Sequence, residues 1–231
     1  MYDNEDKIED NKKNPNNIKI TLIGDSGVGK SSIINRYTHN KYDENVEVTL
    51  SLGYNKKEYE YDGKKYQLDI WDTAGQEQYR SLGKHFYKDS FIIILVYDIT
   101  SKESFINLEK VWIEDIENFA EKSRVLAIVG SKKDLYEEKE AVTFEDGEKF
   151  AQEHDAIFME VSAKFGTNID LLFESCVKRY FDSDFQVVVK EIKKRDDTSQ
   201  IIRKKGHKKK KKIKKKNVVY NRRIILRINY Q

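Results

Sequence analysis

Ile18-Lys19-Ile20-Thr21-Leu22-Ile23-Gly24-Asp25-Ser26-Gly27-Val28-Gly29-Lys30-Ser31-Ser32 runs from a β-rich apolar stretch through a glycine-rich loop into a helix-like segment over residues 30–38. Gly24 to Ser31 fit the pattern G-x-x-x-x-G-K-S. A strand before it and a helix after it form the setting in which that pattern cradles phosphate. The glycines let consecutive backbone N–H groups curl around a β-phosphate without Cβ clashes, and the helix N-terminus adds its dipole. Lys30 supplies a point charge for the β- and γ-phosphates, and the Ser31 hydroxyl can ligate magnesium, with Ser32 beside it. A chance glycine-rich turn would not bring both flanking elements. The pattern specifies a nucleoside triphosphate and leaves the base open.

Outward from this loop, apolar runs and helix-like segments alternate. GYNKKEYEY and KKYQLDIWD flank Asp62-Gly63, a strong two-residue hairpin signal. FIIILVYDI (91–99) and VLAIVG (125–130) are apolar throughout, as strands covered on both faces must be, and AIFMEVS (156–162) is a shorter strand. Phe105, Leu108, Trp112, Ile116 and Phe119 recur at three- and four-residue spacing, which predicts a helix over 103–122. Residues 144–154 and 168–181 behave alike, the second burying Leu171, Leu172, Phe173, Cys176 and Val177. This alternation implies an α/β fold, doubly wound, with a mostly parallel six-stranded sheet and one antiparallel edge hairpin.

Charge divides the chain. Residues 190–231 hold 18 Lys+Arg against three acids, a net of +15; with +3 on all 231 residues, the body carries −12. Residues 1–17 and 183–231 are predicted to be disordered, leaving one domain over 18–182. The single cysteine, Cys176, excludes an internal disulfide and fits a reducing compartment. No apolar run approaches the ~20 residues that cross a bilayer, and the polar N-terminus is no secretory signal, so a soluble intracellular protein is expected.

Two further strings follow strand ends. In Asp72-Thr73-Ala74-Gly75-Gln76-Glu77, Asp72 is placed to hold magnesium, the Gly75 N–H to touch a γ-phosphate and Gln76 to orient attacking water. In Ser131-Lys132-Lys133-Asp134, the Asp134 carboxylate can accept from the N1–H and N2–H₂ edge of guanine, a donor pair that adenine lacks. Ser162-Ala163-Lys164 follows the next strand, where the Ala163 N–H can donate to guanine O6. These segments separate a guanine site from an adenine site.

GDSGVGKSS, WDTAGQE, SKKD and VSAK together resemble the small GTPases of the Ras superfamily, and within it the Rab family, over residues 18–181. The resemblance implies a GTP-binding, GTP-hydrolysing, magnesium-dependent switch in vesicle traffic. It makes Thr49, 19 residues after Lys30 and 22 before Trp71, the switch threonine that reaches magnesium and the γ-phosphate. It places Tyr42 edge-on against the guanine, although a simple surface tyrosine is the plainer reading. It makes Lys132 and Lys164 the lysines whose stems cover the base. Gln76, Lys30 and Thr49 are then the catalytic set, and Ser31, Thr49 and Asp72 the metal ligands. An exchange factor, a GTPase-activating protein and effectors are implied, acting on a monomer at the cytosolic face of endomembranes. No arginine is placed to act in cis, so unaided turnover of about 10⁻⁴ to 10⁻³ s⁻¹ is expected. A Ras-like signalling member outside the Rab branch and a non-hydrolysing GTP-binding scaffold are the alternatives.

Three departures from the family pattern stand out. Ser131 occupies the usual asparagine position; the shorter side chain is expected to forfeit a contact to the base N7 and the bracing of the phosphate loop, speeding nucleotide release about tenfold. Ser51 replaces the usual glycine in TLSLGY, which bears on effector identity. Family members end in one or two prenylated cysteines, whereas this chain ends in RINYQ; either it is not prenylated or this is not the true terminus. Between Arg203 and Lys216, 11 residues are Lys or Arg. Such a run can attract anionic lipid at about 1 kcal/mol per charge near the surface. It can also bind nucleic acid, which is the less favoured reading here, serve as a nuclear address, or have no dedicated partner.

Overall fold

The computed structural model describes residues 16–44, 53–73, 87, 89–182 and 185. The chain divides into two units, Met1–Lys193 and Lys194–Gln231, and every described residue lies in the first. The expectations for Thr49, Ser51, Gly75, Gln76, the N-terminal lead-in and the basic tail lie outside the described residues.

Six strands form one sheet: β1 (Asn17–Ile23), β2 (Gly53–Tyr61), β3 (Lys64–Asp72), β4 (Ile92–Asp98), β5 (Val125–Ser131) and β6 (Ile157–Glu160). Their order is β2-β3-β1-β4-β5-β6, with β2 antiparallel to β3 and every other pair parallel. This is the sheet the alternation of elements predicts. Asp62 and Gly63 both have positive φ (49° and 68°), the conformation a tight two-residue hairpin demands. Edge strand β2 alternates between half-buried and exposed residues, while β4 and β5 are buried throughout. The difference follows from position: a central parallel strand is covered by helices on both faces, an edge strand is not.

Period-two alternation sends the strand side chains into two apolar layers. Ile92, Ile94 and Val96 of β4 join Val125, Ala127 and Val129 of β5 on one face. Helices α1 (Lys30–His39) and α6 (Ile169–Phe181) cover that face, where Tyr37 stacks on Phe173 with centroids 3.7 Å apart. Leu171, assigned to the buried stripe of α6, is only partly buried against this layer. Ile93, Leu95 and Tyr97 face the other layer with Leu108, Trp112, Ile116 and Phe150.

On that second face the single helix expected over 103–122 is instead three segments: α2 (Lys102–Asn107), a π-helical turn (Leu108–Ile113) and α3 (Glu114–Phe119). The Ser101 hydroxyl caps the start by accepting from the Ser104 N–H, and Ala120 turns extended to end it. A continuous 3.6-residue period would keep Phe119 on the buried stripe. Phe119 is nonetheless exposed: it is the last residue of α3, where the chain turns extended at Ala120 and leaves the layer. A short α4 (Tyr136–Lys139) precedes the helix α5 (Phe144–Glu153), which is capped by Thr143 and completes the layer with Phe150 and Ala151. No helix among the described residues is long and apolar enough to cross a membrane.

Candidate functional site

The sheet order reverses direction at β1, and the loop after β1 opens at the carboxyl ends of β1 and β4. This is the crevice where doubly wound sheets take their ligands. Gly24 leaves β1 with φ 140°, and a Cβ there would strike the Val96 carbonyl oxygen, so no side chain fits. The loop ends at Gly29 (φ 95°), where α1 begins at Lys30.

Lys30 is buried, and its ammonium donates to the carbonyl oxygens of Gly24 (2.9 Å) and Asp25 (2.7 Å). The loop thus wraps its own lysine. Burial lowers the Lys30 pKa to about 8, against the opposing charges of Asp72 and Asp25. Desolvation of the ammonium outweighs both carboxylates, so an added anion would be strongly welcomed.

Asp72, at the end of β3, is also buried, and Oδ1 of its carboxylate has no hydrogen-bond partner. Burial pushes its carboxyl above the usual range, opposed by a hydrogen bond from Ser31 and by the Lys30 charge. An orphaned buried carboxylate oxygen beside a serine hydroxyl suits a small hard cation that takes its remaining ligands from phosphate and water. Ser31 and Asp72 fit a magnesium ion on that ground. The Thr73 hydroxyl donates to the Leu22 carbonyl at 2.7 Å and fixes this strand end against β1.

A cavity continues from the loop past Tyr42, Ser131, Lys132, Asp134, Ala163 and Lys164. The Asp134 carboxylate accepts from the Ser162 hydroxyl at 2.7 Å, and that hydroxyl in turn accepts from the Phe165 N–H at 3.2 Å. The two loops are therefore one hydrogen-bonded unit with a free carboxylate edge toward the cavity. Lys132 pairs with Asp98 at 2.6 Å and Lys164 with Glu44 at 2.7 Å, so each ammonium is held away while its stem lines the wall.

Ser131 corrects one expectation. It is buried, and its Oγ lies 2.5 Å from the Val28 carbonyl oxygen and 2.9 Å from that of Tyr97. The serine reaches the phosphate loop despite its length, so the brace assigned to a longer asparagine is kept. A hydroxyl has one proton, so it shares this bond between two acceptors.

Of the residues singled out in the sequence, Gly24 to Ser32, Tyr42, Asp72, Ser131, Lys132, Asp134 and Ser162 to Lys164 converge on this one crevice. Arg36 was missed. Its Nε donates to the Ala163 carbonyl (2.7 Å) and its NH2 to that of Lys164 (2.8 Å), clamping the S-A-K loop from α1. Asp98, the partner of Lys132, was missed as well. Neither belongs to a motif; a basic residue on a helix and an acid at a strand end carry no signal until the fold brings their partners near.

A sequence model of the Ras family matches residues 19–182. The Ras-related protein Rab-26 of Rattus norvegicus is 41% identical over 161 residues, which are 69% of this chain and 62% of the relative. Its counterpart from Mus musculus is 40% identical over 161 residues, covering 69% of this chain and 61% of the relative. The chain therefore spans about three fifths of the length of these relatives. Match and geometry coincide on the same crevice: the chain belongs to the Ras family and, within it, is similar to Rab-type members.

Proposed function

We propose that this chain is a GTP-binding and GTP-hydrolysing switch that acts in intracellular membrane traffic. The observation that carries it is the continuity of the crevice. Lys30 in its glycine-rich loop lies at one end, Asp134 at the other, and the Ser131 hydroxyl ties the two ends together through Val28. Family membership supports the same reading.

In this reading the loop amides and Lys30 bind the β- and γ-phosphates, and the Asp134 carboxylate selects guanine by its N1–H and N2–H₂ donors. Ser31, Asp72 and Thr49 would hold magnesium, which when bound neutralises charge developing on the phosphate oxygens. Gln76 orients the attacking water and Gly75 contacts the γ-phosphate; loss of that phosphate releases the segments bearing Thr49 and Gly75. An exchange factor, an activating protein and effectors complete the cycle, with the chain as a monomer. The basic run Arg203–Lys216 draws the protein to anionic membrane on the cytosolic face, in a reversible manner unless a lipid is attached.

Single-turnover release of phosphate from radiolabelled GTP in magnesium buffer tests the proposal. Slow release from the full chain, abolished in Lys30→Ala, is the expected result. Tight GTP binding with no release at all would leave a non-hydrolysing scaffold in its place.

A further inference from the structure

Asp25 is part of the phosphate loop, yet both of its carboxylate oxygens are engaged by a distant helix. Oδ2 accepts from Asn107 Nδ2 at 2.7 Å, and Oδ1 accepts from Trp112 Nε1 at 2.7 Å. The main chain of the same residue accepts from the Lys30 ammonium, also at 2.7 Å. One residue thus joins the lysine of the loop to the α2–π–α3 segment, 82 and 87 residues away in sequence.

The π turn is what makes the double contact possible. Asn107 and Trp112 are five residues apart, and on an α-helix of about 3.6 residues per turn they would point roughly 140° apart. The turn Leu108–Ile113 winds wider, with i→i+5 bonding, and brings positions five apart nearly into line. The segment therefore accepts a less common geometry where its two donors meet a carboxylate. π turns of this kind concentrate at functional positions.

We infer that Asp25 is a positioning residue for the nucleotide phosphates: its carboxylate, clamped by Asn107 and Trp112 across the π turn, fixes the loop around Lys30 and slows nucleotide release. This rests on the reading of the crevice as a guanine-nucleotide site. A carboxylate within a loop built for anions is repulsive if it is free to swing. Two N–H donors at charge-assisted distance hold it on the helix side and delocalise its charge. Losing one donor leaves the anion mobile and the loop loose.

The test has two readings on the full chain. The first is independent of nucleotide binding: the indole N–H of Trp112, assigned by comparison with Trp71→Phe, is followed by ¹H–¹⁵N NMR. In the wild type it should exchange slowly with solvent, and in Asp25→Ala its resonance should shift and its exchange accelerate at least tenfold. An unaltered signal overturns the clamp. The second is the dissociation rate of fluorescent GDP from the wild type, Trp112→Phe and Asn107→Leu, each also made in an Asp25→Ala background. Trp112→Phe and Asn107→Leu should each release GDP about five- to tenfold faster. In the Asp25→Ala background neither should add more than twofold, because the carboxylate they act through is gone. Equal acceleration in both backgrounds would make Trp112 and Asn107 merely structural and overturn the inference. Failure of the wild type to bind GDP would overturn the guanine-nucleotide reading, while the NMR comparison still decides the clamp.

Discussion

The Ser131 hydroxyl lies 2.5 Å from the Val28 carbonyl oxygen, joining the end of β5 to the phosphate loop across 103 residues of sequence. Base recognition and phosphate binding are thereby mechanically coupled through one proton. Ser131→Ala should strip the hydroxyl donor from the Val28 carbonyl, at a cost of about 1–3 kcal/mol. GDP release should then accelerate, by roughly tenfold for each 1.4 kcal/mol that falls on the bound state. Ser131→Asn adds an amide within reach of the base and should slow release. Stopped-flow dissociation measures both, and identical rates in all three proteins contradict the brace.

Lys30 gives a pH signature. Its folded pKa of about 8 is below the ordinary 10.5, so the buried site prefers the neutral amine. The sign follows: as pH falls from 10.5 to 8 the unfolded chain takes up a proton that the nucleotide-free folded protein does not, and stability declines. Below pH 8 both states are protonated and the penalty is constant. Nucleotide-free protein should therefore gain stability between pH 8 and 10.5, by up to about 3 kcal/mol. Lys30→Met should lack this gain. Urea unfolding across that range reads it, and parallel pH curves for the two proteins contradict the assignment. Phosphate in the loop restores the charged form, so GDP affinity should fall as pH rises above 8.

Arg36 should matter to the base and not to the hydrolytic step. Arg36→Ala removes the fork that holds the Ala163 and Lys164 carbonyls. Guanine-nucleotide affinity should drop about fivefold or more, as for loss of one to two hydrogen bonds to a charged group. Single-turnover hydrolysis of the GTP that remains bound should stay within twofold of wild type. A reduced hydrolysis rate at unchanged affinity contradicts this role.

Gly147 tests the second apolar layer. A Cβ there would sit 2.5 Å from the hydroxyl of the buried Tyr97 and 2.6 Å from the ring of the partly buried Phe158. Gly147→Ala should destabilise the fold by about 1–3 kcal/mol, in spite of alanine's better helix propensity. Chemical denaturation checks it; a stabilised variant would mean that the ring of Phe158 moves freely.

The sheet and its order were legible because the strands differ in kind. The unbroken apolar runs of β4 and β5 announced burial on both faces, and Asp62-Gly63 announced the hairpin. The phosphate loop was legible because its glycine spacing and its lysine answer one chemical demand. The π turn was not, since Phe105, Leu108, Trp112 and Ile116 satisfy an ordinary helical period and no residue type marks the wider turn between them. The Ser131 brace was misread because side-chain length was weighed without the distance it had to span. Arg36, Asn107 and Asp98 were invisible for a common reason: each acts on a residue far away in sequence through a single side chain, and neither spacing nor composition records that.

The central claim is that this crevice holds a guanine nucleotide. The most direct measurement is the nucleotide released on acid denaturation of the purified full chain, quantified by chromatography and mass spectrometry beside Asp134→Ala. The account predicts close to one GDP or GTP per chain, and far less in the variant. A wild-type chain that comes up empty and ignores added GTP and GDP in magnesium buffer, or that carries adenine nucleotide instead, would contradict it.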